Sequence, residues 1–135
     1  MLPVANRIRS ASDFSHTVRS GVRSGRRNLV LYTLVEPTGP SKVGFIVAKT
    51  VGNAVIRNRV KRRLRAAAAL SVSEQPTGLR IVVRALPAAA QSGWQELLED
   101  YNSALQANCE KAAKKALKTV RSSTDRTNGG KAAHA

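Results

Sequence analysis

Between positions 57 and 65 the chain carries Arg57, Arg59, Lys61, Arg62, Arg63 and Arg65, six cations in nine consecutive positions. Side chains of this type at this density neutralise phosphates. A guanidinium is a planar fork of donors that matches paired phosphate oxygens, and each phosphate neutralised releases condensed counterions. On a 3.6-residue period Ile56, Val60, Leu64 and Ala67 form one narrow apolar stripe. Arg57, Lys61 and Arg65 make an i,i+4 ladder beside it, and Arg59, Arg62 and Arg63 fill most of the remaining arc. Like charges at i,i+4 cost a helix roughly 0.2–0.5 kcal/mol per pair, so such a segment repels itself mildly until an anion arrives. A basic helix is often only a solvated face, but solvated helices interleave Glu with Lys, whereas this run is nearly unmixed in sign and rich in arginine.

Residues that could break a phosphodiester are harder to find. Unaided cleavage needs paired carboxylates to hold metals, or histidines for general acid and base work. The acidic residues are scattered: Asp13 beside a helix cap, Glu36 and Glu74 in separate loops, and Asp125 in the tail. Glu96, Glu99 and Asp100 open a long helix, where its dipole favours them. His16 stands alone on the first helix and reads as a surface or boundary histidine, and His134 lies in the tail. Cys109 has no partner for an intramolecular disulfide, and two histidines make no metal-ligand cluster. No catalytic residue and no protein metal ligand is assigned.

Charge sets the class of partner. Twenty-three Lys and Arg against eight Asp and Glu give +15 on 135 residues, a field that attracts polyanions, nucleic acid first and an anionic membrane surface second. The length suits one domain, and no apolar run reaches the 18 or more residues of a membrane span. The N-terminus lacks the apolar core of a secretory signal, so a cytoplasmic protein is expected. Aromatics are only 4% of the chain, so base stacking has few possible positions.

The elements that must position these residues follow from pattern. After a basic arm with Arg7 and Arg9, Ser10 or Ser12 caps a short helix to about Ser20, ended by Gly21, with Phe14 and Val18 on one face. Residues 22–28, with Arg23, Arg26 and Arg27, read as a basic loop. Leu29 to Val35 and Val43 to Ala48 are strand formers separated by the breaker Glu36-Pro37-Thr38-Gly39-Pro40-Ser41, which predicts an antiparallel hairpin. The basic helix runs from about Asn53 to Leu70, Ser71 to Gly78 is loop, and Leu79 to Ala85 is a strand reached by a parallel crossover. Ser92 with Gln95 supplies a capping box for a long helix. Its apolar stripe is Trp94, Leu98, Tyr101, Leu105, Cys109, Ala112 and Ala116, which places Trp94 and Tyr101 in the core rather than on an RNA platform. Residues 1–118 form a single α+β domain and 119–135 a disordered basic tail.

At the basic helix the sequence resembles a known family. The run from Gly44 through Lys49, Gly52-Asn53-Ala54-Val55 and Arg57-Asn58-Arg59 to Arg62 is similar to the signature of the bacterial ribonuclease P protein subunit. Asn6-Arg7-Ile8-Arg9 with Ser12-Asp13-Phe14, Leu29-Val30-Leu31-Tyr32 and Ile81-Val82-Val83-Arg84-Ala85 extend the likeness over about residues 5–118. The resemblance implies a two-layer α/β sandwich: a four-stranded, mainly antiparallel sheet with helices on one face. The element order would be helix-strand-strand-strand-helix-strand-helix, with a left-handed crossover around the basic helix. It implies a protein that joins a catalytic RNA to remove the 5′ leader of precursor tRNA, with chemistry and Mg2+ belonging mainly to the RNA and no obligate protein partner.

By the same resemblance, Lys49, Asn53, Arg57, Asn58, Arg59, Lys61, Arg62 and Arg65 face the catalytic RNA, and Phe14, Val18 and Tyr32 line a cleft for the leader. Val18 stands where the family commonly has a second aromatic, and Thr50 where it usually has lysine. Spacing alone leaves Phe14 and Tyr32 open between core and platform. A noncatalytic ribosomal or RNA-chaperone protein remains the alternative, and a duplex DNA binder a weaker one, because Ile56, Val60 and Leu64 commit the helix to a core.

Overall fold

In the computed structural model, which describes residues 2–127 and side chains through residue 116, the most apolar strand lies inside the sheet. Strands β1 (Val22–Gly25), β2 (Leu29–Pro40), β3 (Lys42–Ile46) and β4 (Thr77–Ala85) form one sheet in the order β1-β2-β4-β3. Helices α1 (Ala11–Ser20), α2 (Ala54–Glu74) and α3 (Trp94–Thr127) complete the expected α+β element order. β4 runs antiparallel to β2 and parallel to β3, so β3-α2-β4 is the expected parallel crossover.

The predicted hairpin of the second and third strands does not form, because β4 lies between them. Leu79, Ile81, Val82, Val83 and Ala85 are buried on both faces of β4, and a strand of that kind belongs between two others. Ser41 makes the corner instead. Its hydroxyl donates to the Gln75 carbonyl (2.9 Å) and accepts from the Leu79 N–H (3.2 Å), tying the end of β2 to the turn between α2 and β4. β2 also continues past Val35 to Pro40 through a register shift. Residues 22–25, expected to be loop, pair with β2 from Val22 opposite Thr33 to Gly25 opposite Val30. One apolar residue in four gives no alternation to read, and the free edge of β2 supplies the pairing.

The two faces are covered unequally. Leu29, Leu31, Val43, Ile81 and Val83 point into the main core with Val60, Leu64, Ala67 and Ala68 of α2 and Leu97, Tyr101 and Ala104 of α3. Val30, Tyr32 and Val82 point the other way, where α1 lays Phe14 and Val18 across them. Helices on one face therefore describes α2 and α3, while α1 crosses the opposite face. The N-terminal arm is not free: Leu2 is fully buried, and the Ile8 N–H bonds Val43 O (3.1 Å), covering the open edge of β3.

α2 reaches Glu74 rather than Leu70, because the Ser71 hydroxyl finds the Ala68 carbonyl and the Tyr101 hydroxyl, each at 2.8 Å, and Val72 is buried. The stripe of α3 is rotated from the predicted one to Leu97, Tyr101, Ala104 and Asn108, leaving Trp94 exposed and Leu98, Leu105 and Cys109 half-buried. Its start is closed by Glu96, whose carboxylate accepts from the Gly93 N–H (3.0 Å), not by Gln95. Ser92 instead hydrogen-bonds Asn28, which Asp100 also holds through its backbone and side-chain N–H groups. The segment expected as tail begins within α3, and residues 128–135 lie outside the described residues.

Asn108 is 0% exposed and joins three elements. Its Oδ1 accepts from Ser24 (2.7 Å) and its Nδ2 donates to Leu31 O (2.8 Å) and Thr33 Oγ1 (3.1 Å). Truncation would strand these buried groups, so Asn108→Ala is expected to lose about 2–3 kcal/mol in denaturant unfolding. Burial also raises the Tyr101 pKa, with the Ser71 bond opposing only in part. Folding thus favours the protonated phenol; its contribution is whole below the ordinary value near 10 and is lost as pH climbs toward the folded-state value. Above about pH 10 the protein should lose stability more steeply than Tyr101→Phe, measured by urea unfolding at stepped pH.

Candidate nucleic-acid interface

α2 begins where Gly52 allows the chain to turn tightly; a Cβ there would lie 2.9 Å from Ile56 Cγ2. Asn53 then caps the helix, its Oδ1 accepting from the Ile56 N–H at 3.0 Å. The side chain predicted to meet RNA is thus partly occupied locally. Ile56, Val60, Leu64 and Ala67 face the core as their spacing requires, which turns the cations outward.

These cations form a belt with three parts. On one flank Lys61 and Arg65 reach the β3 edge, where with Arg7, Phe14 and Phe45 they line a cavity of about 170 Å3. On the outward arc Asn58 and Arg62 are exposed, and Lys49 is exposed in the turn before the helix. On the other flank Arg59 donates to Ala90 O (2.7 Å) and Arg63 to Ser92 O (2.8 Å), so both fasten the segment that leads into α3. Arg57 is half-buried, with its Nε directed to Gly52 O (3.2 Å). The Arg80–Asp13 ion pair (2.9 Å) lies away from the belt, and no cation of the belt is paired with a carboxylate among the described residues.

Across the β3 edge lies the cleft under α1. The Arg80–Asp13 pair ties α1 to β4, and the Phe14 ring lies flush on Gly44, where a Cβ would come within 2.5 Å of it. Phe14, Ser15, Val18, Arg19 and Ile46 line an open cavity of about 520 Å3. Tyr32 is only 8% exposed and forms floor beneath this cleft rather than a free platform. Arg84 was missed in the sequence: it is exposed on β4, and its register partners are Val30 and Ile46, at the cleft's open side. Strand alternation could have found it, because Arg84 shares the parity of Val82. Trp94 was also misplaced, for it borders Arg59, Arg62 and Arg63.

Among the described residues there is no group of three His, Cys, Asp or Glu side chains that could hold a metal ion. His16 Nδ1 lies 3.5 Å from Ser20 Oγ on an exposed face, with no carboxylate bonded to it among the hydrogen bonds of the described residues. No helix among them is long and apolar enough to cross a membrane.

Fold and surface together define a small α+β protein with a cationic helix and, beside it, a cleft lined by Phe14. Residues 2–109 match the Ribonuclease P family model. The chain is 63% identical over 107 residues to the ribonuclease P protein component of Arthrobacter sp. (strain FB24), covering 78% of this chain and 79% of that one. It is 60% identical over 114 residues to that of Pseudarthrobacter chlorophenolicus, covering 84% of each. The solved RNase P protein of Staphylococcus aureus superposes with a TM-score of 0.69 at 27% identity, covering 76% of this chain and 94% of that one. The chain belongs to the ribonuclease P protein family.

The two kinds of arginine should separate by experiment. Arg63→Ala is expected to lose about 1 kcal/mol in chemical denaturation, since it frees a carbonyl at the α3 junction. Arg65→Ala, whose guanidinium anchors nothing in the fold, should unfold like the parent protein.

Proposed function

We propose that this chain is the protein subunit of ribonuclease P and assists removal of the 5′ leader of precursor tRNA by a catalytic RNA. One observation carries the reading beyond the family match: the unneutralised belt of α2 and the cleft of α1 meet at the β3 edge, where Phe14 and Lys61 line one cavity. A polyanion seated on the belt can therefore lie beside a single strand in the cleft. Lys49, Lys61, Arg62 and Arg65 take phosphates of the RNA subunit, Asn58 adds a directional hydrogen bond, and Arg59 and Arg57 contribute charge while holding the local backbone. In the cleft, Phe14 offers the exposed part of its ring, Val18 an apolar wall and Arg84 a cation for the leader backbone.

Magnesium, held mainly by the RNA, supplies the hydrolytic chemistry. The protein's own part is electrostatic. Its belt offsets repulsion between RNA subunit and substrate, a task otherwise left to added cations. Precursor is preferred over product because mature tRNA no longer fills the cleft. A ribosomal or RNA-chaperone role would use the belt and give the cleft no occupant.

Reconstitution tests this directly. Full-length protein freed of RNA should leave precursor tRNA intact, yet lower the magnesium that the cognate RNA needs for leader removal. Arg62→Ala with Arg65→Ala should weaken assembly and flatten the plot of log affinity against log salt by about 1–2 in slope, with unfolding unchanged. Cleavage by the protein alone, or no stimulation of the RNA, would remove the assignment.

A further inference from the structure

Trp94, the single tryptophan of the chain, is 36% exposed at the first turn of α3 although its spacing suits a core position. Around it Arg59, Arg62, Arg63 and Ala66 complete a concavity of about 340 Å3. This volume is within the range of about 300–1,000 Å3 typical of small-ligand sites. Two of the three arginines are fixed: Arg59 and Arg63, one turn apart on α2, donate to Ala90 O and Ser92 O and so hold the segment that carries Trp94. Arg62 is exposed at the rim and makes no hydrogen bond or ion pair among the described residues. Ala66, one turn beyond Arg62, leaves the floor open where a longer side chain would fill it. Glu96, the acidic residue nearest in sequence, has its carboxylate directed to the Gly93 N–H at the helix start.

An indole held in place among guanidiniums offers a flat π-face, a stacking cation and a phosphate contact within one site. Those are the elements that seat an unpaired nucleotide without reading its identity. The concavity lies on the α2–α3 side of the sheet, whereas the leader cleft lies on the α1 side.

We infer that Trp94 and Arg62 form a second single-nucleotide site, separate from the leader cleft, in which an unpaired base of the RNA subunit stacks on the indole while its phosphate meets Arg62. The inference rests on the proposed partnership with the catalytic RNA. It extends the basic belt beyond its phosphate contacts to a stacked base at the α3 junction.

Because no other tryptophan is present, indole emission excited at the red edge, where Tyr32 and Tyr101 do not absorb, reports on Trp94 alone. Titration with the cognate catalytic RNA should quench it to a saturable plateau, and a 5′-leader oligonucleotide should leave it unchanged. Trp94→Ala should weaken RNA-subunit binding at least five-fold, by about the lower bound of one stacked base, with the salt slope intact. Trp94→Phe should restore most of the affinity, and Arg62→Ala should lower the slope by about one. Circular dichroism of each variant verifies the fold. Unchanged emission at saturating RNA, or Trp94→Ala binding like the parent, would overturn the site while leaving the proposed function in place. Quenching by the leader oligonucleotide alone would overturn it as well. Failure of the unmodified protein to bind or stimulate the RNA would instead remove the function, and this site with it.

Discussion

Helix α2 must bury Val60, Leu64, Ala67 and Ala68 while six cations on the same stretch, little more than three turns long, keep their charged ends out of the core. A stripe that narrow gives the helix a single acceptable orientation, and a small rotation either way would draw a guanidinium into the core without a counterion, at a cost of several kcal/mol. The rest of the fold serves that orientation. β4 supplies the apolar surface from the middle of the sheet, and α3 closes the other side with Leu97 and Tyr101. Arg59 and Arg63 then bind carbonyls of the following segment, so the charged face itself secures the neighbouring element.

The same economy explains the cleft. α1 is held over the sheet by a partly exposed ion pair, a small contribution on its own, and by the seating of Phe14 on Gly44. The backbone at Gly44 admits the ring because there is no Cβ, so the aromatic that lines the cleft is also what fixes α1. Core and platform are then not exclusive descriptions of Phe14: one part of its ring is packed and the rest borders open space. Tyr32 differs, since its strand lies deeper and leaves the ring little surface.

Three acidic residues of this chain serve structure. Asp13 pairs with Arg80, Asp100 holds Asn28, and Glu96 closes the start of α3. Each sits at a junction between elements or at a helix end, which leaves the belt on α2 free of internal neutralisation.

By itself the sequence determined the identity and outward bearing of the basic helix, the order of the elements other than β1, and the family, because these rest on local periodicity and an unbroken motif. Tertiary structure decided what depends on distant partners. β4 enters between β2 and β3 because a strand buried on both faces needs two neighbours, which no local pattern records. β1 is a strand because an edge of β2 is available to it. The register of α3, and with it the burial of Asn108 and the exposure of Trp94, is set by the buried bonds to Ser24, Leu31 and Thr33, polar contacts that hydrophobic spacing cannot anticipate. Which arginines of the belt are free and which are fastened was likewise settled by the carbonyls that the fold brings beside them, 29 and 31 residues away along the chain.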